Sequence, residues 1–360
     1  VVPKALGIGV KNKKVKAHRL EIKEKLIFTI HIILKKNTNC NQFILEALLK
    51  STEVLSNEAK NKIKSFLSSQ KSENGGFVDR AGKADLYYSV FGYTLALVLD
   101  YKVNVVEERK YLRRIKHAEK LDFVHSICFV RCEFLLHLID LRQKSRLPAS
   151  KFLSISFAKD LILGKVVKSL KINCSQLLWE LEENLANDGG YNHNKKAAER
   201  STIYANYLMW TLYQDLQTEQ EVLDEITDAN ITLMAENGSF ANEENSIDGV
   251  TSSTAAGLIM SSSSELEEMV KTKEWLKQML TKRGGFKAAK GVPIADLLST
   301  STALLALQVT GENMQDYAEN SVNFINLHWD ESGGFFGSIA DMTCDVEYTY
   351  YALLGLGVLS

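Results

Sequence analysis

Acidic residues recur in this chain with a hydroxyl four positions later: Asp85–Ser89, Asp122–Ser126, Asp248–Ser252, Asp296–Thr300 and Asp345–Thr349. Carboxylates gathered at one place raise one another's pKa and can yield a general acid. The more economical reading of each Asp is a helix cap, its carboxylate meeting free N–H groups at the positive end of a helix dipole. Three cations invite a second chemistry: Lys287 and Lys290 in G-F-K-A-A-K-G, and Arg200 in E-R-S-T-I-Y. Converging near helix N-termini they form an anion site; apart, they are solvated surface charge. Tyr87, Tyr88, Tyr204, Tyr348 and Tyr350 stand near the same Asp and Arg positions. Such rings either fill a core or line a cavity, where their faces stabilise carbocations. His125, Cys128 and Cys132 share one helix face. At about 1.5 Å of rise per residue they spread over roughly 10 Å, too far for one tetrahedral ion, so packing is expected. His193 falls in a loop that can reach the same rim, and no chemistry is assigned to it.

The elements that position these residues form a repeat. A glycine-aromatic turn reads N-G-G-F at 74–77, D-G-G-Y at 188–191, N-G-S-F at 237–240, R-G-G-F at 283–286 and S-G-G-F at 332–335. The first glycines are 114, 49, 46 and 49 residues apart, and the long gap has room for one more unit, marked by D-F-V-H-S at 122–126. An amphipathic stretch precedes each turn, and an apolar run rich in small residues follows each Asp. Both carry helical spacing, and only three prolines occur. One unit is therefore a helix, a turn stopped by a left-handed glycine, a short loop and a second helix. A single helix pair cannot bury its apolar face, so the units stack. About six of them closing into a ring predict an all-α fold, an α/α toroid with amphipathic outer helices and apolar inner ones. The segment 251–264, T-S-S-T-A-A-G-L-I-M-S-S-S-S, is made of small residues that leave space inside such a barrel.

Bulk properties exclude several classes. With 43 basic and 44 acidic residues the net charge is −1, so no nucleic-acid partner is expected and any anion site is a local cluster. Five scattered cysteines, mostly in apolar runs, fit buried thiols in a reducing compartment, and a cytoplasmic location follows as the expectation. The apolar run at 26–34 is too short to span a bilayer. Residues 1–40 are read as an N-terminal extension that covers part of the outer surface, and 41–360 as one toroid domain.

The turn and the D-x-x-x-[ST] register together resemble the prenyltransferase and terpene-cyclase repeat, most closely over 185–360. The resemblance implies a toroid whose greasy, aromatic-lined centre takes an isoprenoid chain. In the protein prenyltransferase β subunits, zinc is held by an Asp, a Cys two residues on, and a His in the last repeat. Here Asp296 matches, but Leu298 stands at the Cys position and Tyr348 at the His position. Zinc is therefore not expected. The cyclase branch protonates an alkene or epoxide with the middle Asp of D-x-D-D, and this sequence has no D-x-D-D and no D-D-x-x-D. By the resemblance, Asp296 and Asp345 are the candidate catalytic acids. Lys290, with Lys287 one helical turn away, falls near the basic pair that grips the diphosphate. Arg200 and Tyr204 correspond to a cavity-facing Arg and its neighbouring Tyr, and Tyr348 completes the substrate-binding set.

Two functions follow as expectations. The first is an isoprenoid-handling enzyme, a divergent terpene cyclase or a prenyltransferase-like protein, binding a polyprenyl diphosphate without zinc and taking Mg²⁺ only with that diphosphate. The second is a toroid without catalysis that binds a lipid, a peptide or a helical partner subunit, with peripheral membrane contact allowed in either case.

Overall fold

The computed structural model describes residues 39–118, 120–158, 160–241, 249–262 and 267–360. The N-terminal extension up to residue 38, with the apolar run at 26–34, and Asp248 lie outside the described residues. From Cys40 to Ser360 the chain forms one compact unit. Its helices are α1 (Cys40–Val54), α2 (Asn57–Ser69), α3 (Leu86–Val98), α4 (Val105–Ala118), α5 (Phe123–Ser145), α6 (Ala149–Ala158), α7 (Asp160–Asn173) and α8 (Ser175–Glu182). There follow α9 (Ile203–Asp215), α10 (Gln220–Thr232), α11 (Thr251–Met260), α12 (Glu267–Gln278), α13 (Leu297–Val309), α14 (Gln315–Asn326) and α15 (Val346–Val358).

Six helices make an inner ring, each packed on the next: α3 on α5, then α9, α11, α13 and α15, which returns to α3. The outer layer is α2, α4, α10, α12 and α14. Between α5 and α9 the single outer helix is replaced by three, α6 to α8. The ring closes through its last turn. Gly333 has φ of 94°, and a Cβ there would lie 2.2 Å from the Lys62 carbonyl on α2, so only glycine lets the sixth turn seat on the first outer helix. Lys62 and Glu331 pair across the same joint at 2.6 Å. At the end where the inner helices finish, α1 lies across the barrel, packing on α15 and reaching α9 on the opposite side. Its Cys40 N–H donates to Gln214 Oε1 at 2.8 Å, and Asn41 Nδ2 donates to Asp215 Oδ2 at 2.7 Å.

The D-x-x-x-[ST] pattern has a direct structural cause. Asp85, Asp122, Asp296 and Asp345 each accept the N–H three residues on, at 3.0, 2.8, 2.7 and 2.7 Å, and so cap α3, α5, α13 and α15. The hydroxyl at the fourth position accepts from the N–H of the turn's aromatic residue: Phe77 to Ser89 at 2.9 Å, Phe286 to Thr300 at 2.9 Å, and Phe335 to Thr349 at 3.1 Å. It also donates back to the capping residue's carbonyl, at 2.6 Å in Ser89 and Thr300 and 2.7 Å in Thr349. One small side chain thus ties the turn to the first turn of the inner helix. The aromatic ring is driven inward, and Phe77, Phe286 and Phe335 are all fully or nearly fully buried.

This geometry corrects one register read from sequence and locates another. In the fourth turn Phe240 N–H donates to Thr254 at 3.0 Å and α11 is preceded by Val250, so the working pair is Val250 and Thr254, not Asp248 and Ser252. In the third, Thr202 caps α9 and Asn206 Oδ1 accepts from Tyr191 N–H at 2.7 Å. Two of the loops are also small antiparallel hairpins, β1 (Phe77–Val78) with β2 (Ala84–Asp85) and β3 (Phe335–Ser338) with β4 (Asp341–Asp345), which pair each aromatic residue with the capping Asp. The corrected register is testable. Thr254→Val strands a buried N–H and should lower unfolding free energy by about 1–3 kcal/mol, while Ser252→Ala should change it by less than about 0.5 kcal/mol, both by urea denaturation. Equal costs would restore the register centred on Asp248.

Candidate functional site at the centre of the toroid

The inner helices enclose a cavity of about 680 Å³. Its lining follows from counting residues beyond each cap. Two residues in come Tyr87, Val124, Tyr204, Ser252 and Leu298; five or six in come Val90, Phe91, Ile127, Cys128, Tyr207, Leu208, Ala255, Ala256, Thr302, Tyr350 and Tyr351. Nine in come Thr94, Arg131, Ile259, Leu305 and Leu354, and α1 adds Asn41, Ile44 and Leu45. These steps of three and four residues keep one face of every inner helix turned to the centre. The wall is aromatic around Phe91, which lies 5.0 Å from both Tyr87 and Tyr350 between ring centroids. The opposite arc, Ser252 to Ala256 of α11, is made of small residues and gives the cavity its width.

The mouth holds the ionisable groups. Glu347, two residues past the Asp345 cap, takes the place that Tyr87 and Tyr204 occupy on their own helices, and Tyr87 Oη donates to its carboxylate at 2.7 Å. Burial pushes the Glu347 carboxyl up to about 7; the Tyr87 hydrogen bond opposes this and the Asp345 charge adds to it. Asp345 is itself raised by burial, with the Tyr348 N–H and Arg80 working against the rise. Arg80 is committed: its Nε donates to Asp345 at 2.9 Å, its Nη1 to Asp341 at 2.7 Å, and its guanidinium lies 5.1 Å from the Tyr348 ring centroid. Across the mouth, His193 bonds Thr202 Oγ1 at 3.0 Å and stands edge-on to Tyr204, with burial lowering its pKa. Burial likewise pushes Tyr204 up to about 12, which keeps it a neutral phenol. On the rim between α3 and α5, His125 bonds both Asp122 oxygens at 2.9 Å and reaches Asp85 at 3.3 Å. Burial alone would lower the His125 pKa, but the two carboxylates raise it.

The expected site residues divide accordingly. Tyr204 lines the cavity. Tyr348 lies at the rim under Arg80. Asp296 and Asp345 are caps at the rim; burial raises the Asp296 carboxyl while the Ser299 N–H and hydroxyl restrain it. Arg200 does not face the cavity: it precedes the Thr202 cap by two residues, is exposed, and donates to the Thr232 carbonyl at 3.3 Å. Lys290 is exposed and Lys287 half-buried in the loop before Asp296, where the Lys287 carbonyl accepts from Thr251 Oγ1 at 2.5 Å; neither lines the cavity. Their convergence with Arg200 into one anion site is therefore not built at the cavity wall. The physical reason is the register: the cavity-facing position of the third repeat is Tyr204, and Arg200 falls on the solvent side of the cap. Two residues went unnoticed in the sequence, Glu347 and Arg131. Counting two and nine residues from each cap finds both. Among the described residues no cluster of three or more His, Cys, Asp or Glu has a metal-holding arrangement, all five cysteines are free, and no helix is long and apolar enough to cross a membrane.

The sequence pattern of the prenyltransferase alpha-alpha toroid domain matches residues 28–130 and 251–360, more than half of the chain. The chain belongs to the prenyltransferase alpha-alpha toroid family. No curated protein sequence matches it. Among solved structures, this toroid is similar to Candida albicans protein geranylgeranyltransferase-I complexed with GGPP, at 14% identity and a TM-score of 0.54, covering 82% of this chain and 89% of that one. It is also similar to the type II terpene cyclase MstE from Scytonema, at 11% identity and a TM-score of 0.50, covering 89% and 98%. At these identities the likeness is one of fold.

The raised Glu347 pKa makes a stability prediction. Between the ordinary value of 4.5 and about 7 the folded toroid holds a proton that the unfolded chain has lost, so stability falls as pH rises through that window. Glu347→Gln should therefore match the native protein near pH 4 and exceed it by roughly 1–3 kcal/mol at pH 8, read by denaturant titration at both pH values. A constant difference across pH would show that Glu347 is not perturbed.

Proposed function

We propose that this toroid handles an isoprenoid without zinc, the apolar chain lying in the central cavity and its functionalised end meeting Glu347 and Tyr87 at the mouth. The observation that carries this reading is the 680 Å³ space bounded by all six inner helices and walled by Phe91, Tyr204, Tyr207, Tyr350 and Tyr351. Its size lies within the roughly 300–1,000 Å³ usual for small-molecule sites. The aromatic faces suit a cation migrating along the chain. Glu347, protonated below about pH 7, is the proton source for an alkene or epoxide. Its carboxylate then recovers a proton from the final cation, so the net reaction is an isomerisation or cyclisation without redox change.

An uncharged head fits this mouth better than a diphosphate. Asp341 and Asp345 already hold Arg80, and Arg200, Lys287 and Lys290 are not part of the cavity lining. Mg²⁺ belongs only to the diphosphate reading. One observation favours binding without catalysis as the second reading: a carboxyl group raised to about 7 is a weak proton donor.

Both are resolved by presenting geranylgeraniol, its terminal epoxide and geranylgeranyl diphosphate, with binding followed by calorimetry and products by mass spectrometry. The expected result is saturable binding of alcohol and epoxide, with epoxide turnover that declines above about pH 7. Glu347→Gln should keep binding and lose turnover by about 100-fold or more. Ala256→Phe, which fills the wide side of the cavity, should abolish binding without unfolding the protein. Tighter binding of the diphosphate than of the alcohol would refute the uncharged head, and no saturable binding of any chain would refute the reading as a whole.

A further inference from the structure

Arg131 sits where an apolar chain has no use for a cation. It lies nine residues beyond the Asp122 cap, about 13 Å down α5 at the usual helical rise, in the layer otherwise made of Thr94, Ile259, Leu305 and Leu354. Its hydrogen bond is donated by Nη2 to Thr211 Oγ1 on the facing helix α9. Its Nε is buried without a partner. No ion pair to Arg131 occurs among the described residues; Asp215, the carboxylate that lines the cavity at this end, is bonded by Asn41. The positive charge bears on Tyr207, Tyr350 and Cys40, groups that burial keeps neutral. A guanidinium stays charged at any ordinary pH, and a buried charge left without a counter-charge is costly to the fold. Arg131 nevertheless lines the cavity, and a guanidinium is of the shape that matches a carboxylate.

We propose that the deep end of the cavity is a monoanion subsite in which Arg131, held by Thr211, binds the carboxylate of an acid-terminated apolar chain. This rests on the cavity being a chain-binding site, and it deepens that reading by naming the substrate class and its orientation. A single cation balances a carboxylate rather than a diphosphate. The acid end goes in first, and the uncharged end is left at the mouth against Glu347. Arg131 is the one Lys or Arg among the described lining residues, so an acid end is drawn to the floor rather than to the mouth.

Calorimetric titration with geranylgeranoic acid, its methyl ester and geranylgeraniol at pH 7.5 tests the proposal. The native protein should bind the acid about ten- to hundred-fold more tightly than the ester or alcohol, the usual range for a hydrogen bond to a charged group. Arg131→Met should bind all three at the level of the native protein with alcohol. Arg131→Lys keeps the charge without the fork and should fall between. Thermal melts separate binding from folding: removing an uncompensated cation should leave the melting point of the ligand-free Met variant unchanged or higher, and the acid should raise the melting point of the native protein but not of that variant. Equal affinity of the native protein for acid and alcohol would overturn the subsite while leaving the cavity reading intact. Failure of all three ligands to bind the native protein would overturn both.

Discussion

The polar side chain four residues past the cap, a hydroxyl in four of the units and an amide in a fifth, is the constraint on which the rest of this structure depends. It accepts the turn aromatic's N–H and donates to the capping carbonyl, so it fixes where the inner helix begins and how the turn above it is held. Because the same bond recurs around the ring, the inner helices start near one rim, and depth in the cavity becomes a count from the cap. Residues two, five or six, and nine positions on are stacked from mouth to floor.

Such an arrangement explains why a repeat so regular at its turns can be variable in its chemistry. The clamp uses backbone groups and one small side chain, and it is met by Ser, Thr or even the amide of Asn206. The cap is met by Asp or Thr, and α11 begins after Val250 with no side-chain cap bond at all. The cavity-facing positions take no part in either bond. They are free to carry Tyr, Leu, Ser, Glu or Arg without loss of the fold, and a toroid keeps its architecture while its interior changes.

The same logic sets how much was legible in the sequence. Repeated glycine-aromatic turns, helical spacing and the D-x-x-x-[ST] pattern sufficed for the ring and its two layers, because these are local patterns with one physical cause. Where the clamp used other residues the register slipped: Asp248–Ser252 looked like a repeat, but the bond is made by Thr254. Arg200 was misplaced for a related reason, since its neighbours imitate a cavity-facing motif while the helix starts only at Ile203. Glu347 stood unnoticed between Asp345 and Tyr348, because a carboxylate one residue from the family's His position reads as surface until the cap is located. Arg131 was less accessible still. Within F-V-R-C-E it resembles any helical arginine, and only the closure of six helices turns its side chain toward the centre.

The cavity has aromatic and aliphatic walls, with Tyr87 bonded to Glu347 at the mouth and Arg131 and Asp215 both in the lining toward the floor. The central claim is that this space holds an apolar chain. A crystal structure of the protein grown with geranylgeraniol tests it most directly. The account predicts continuous density for the chain running from Tyr87 past Phe91 and Tyr350 toward Leu354. Density on the outer wall with an empty centre, or side chains collapsed to fill the barrel, would contradict it.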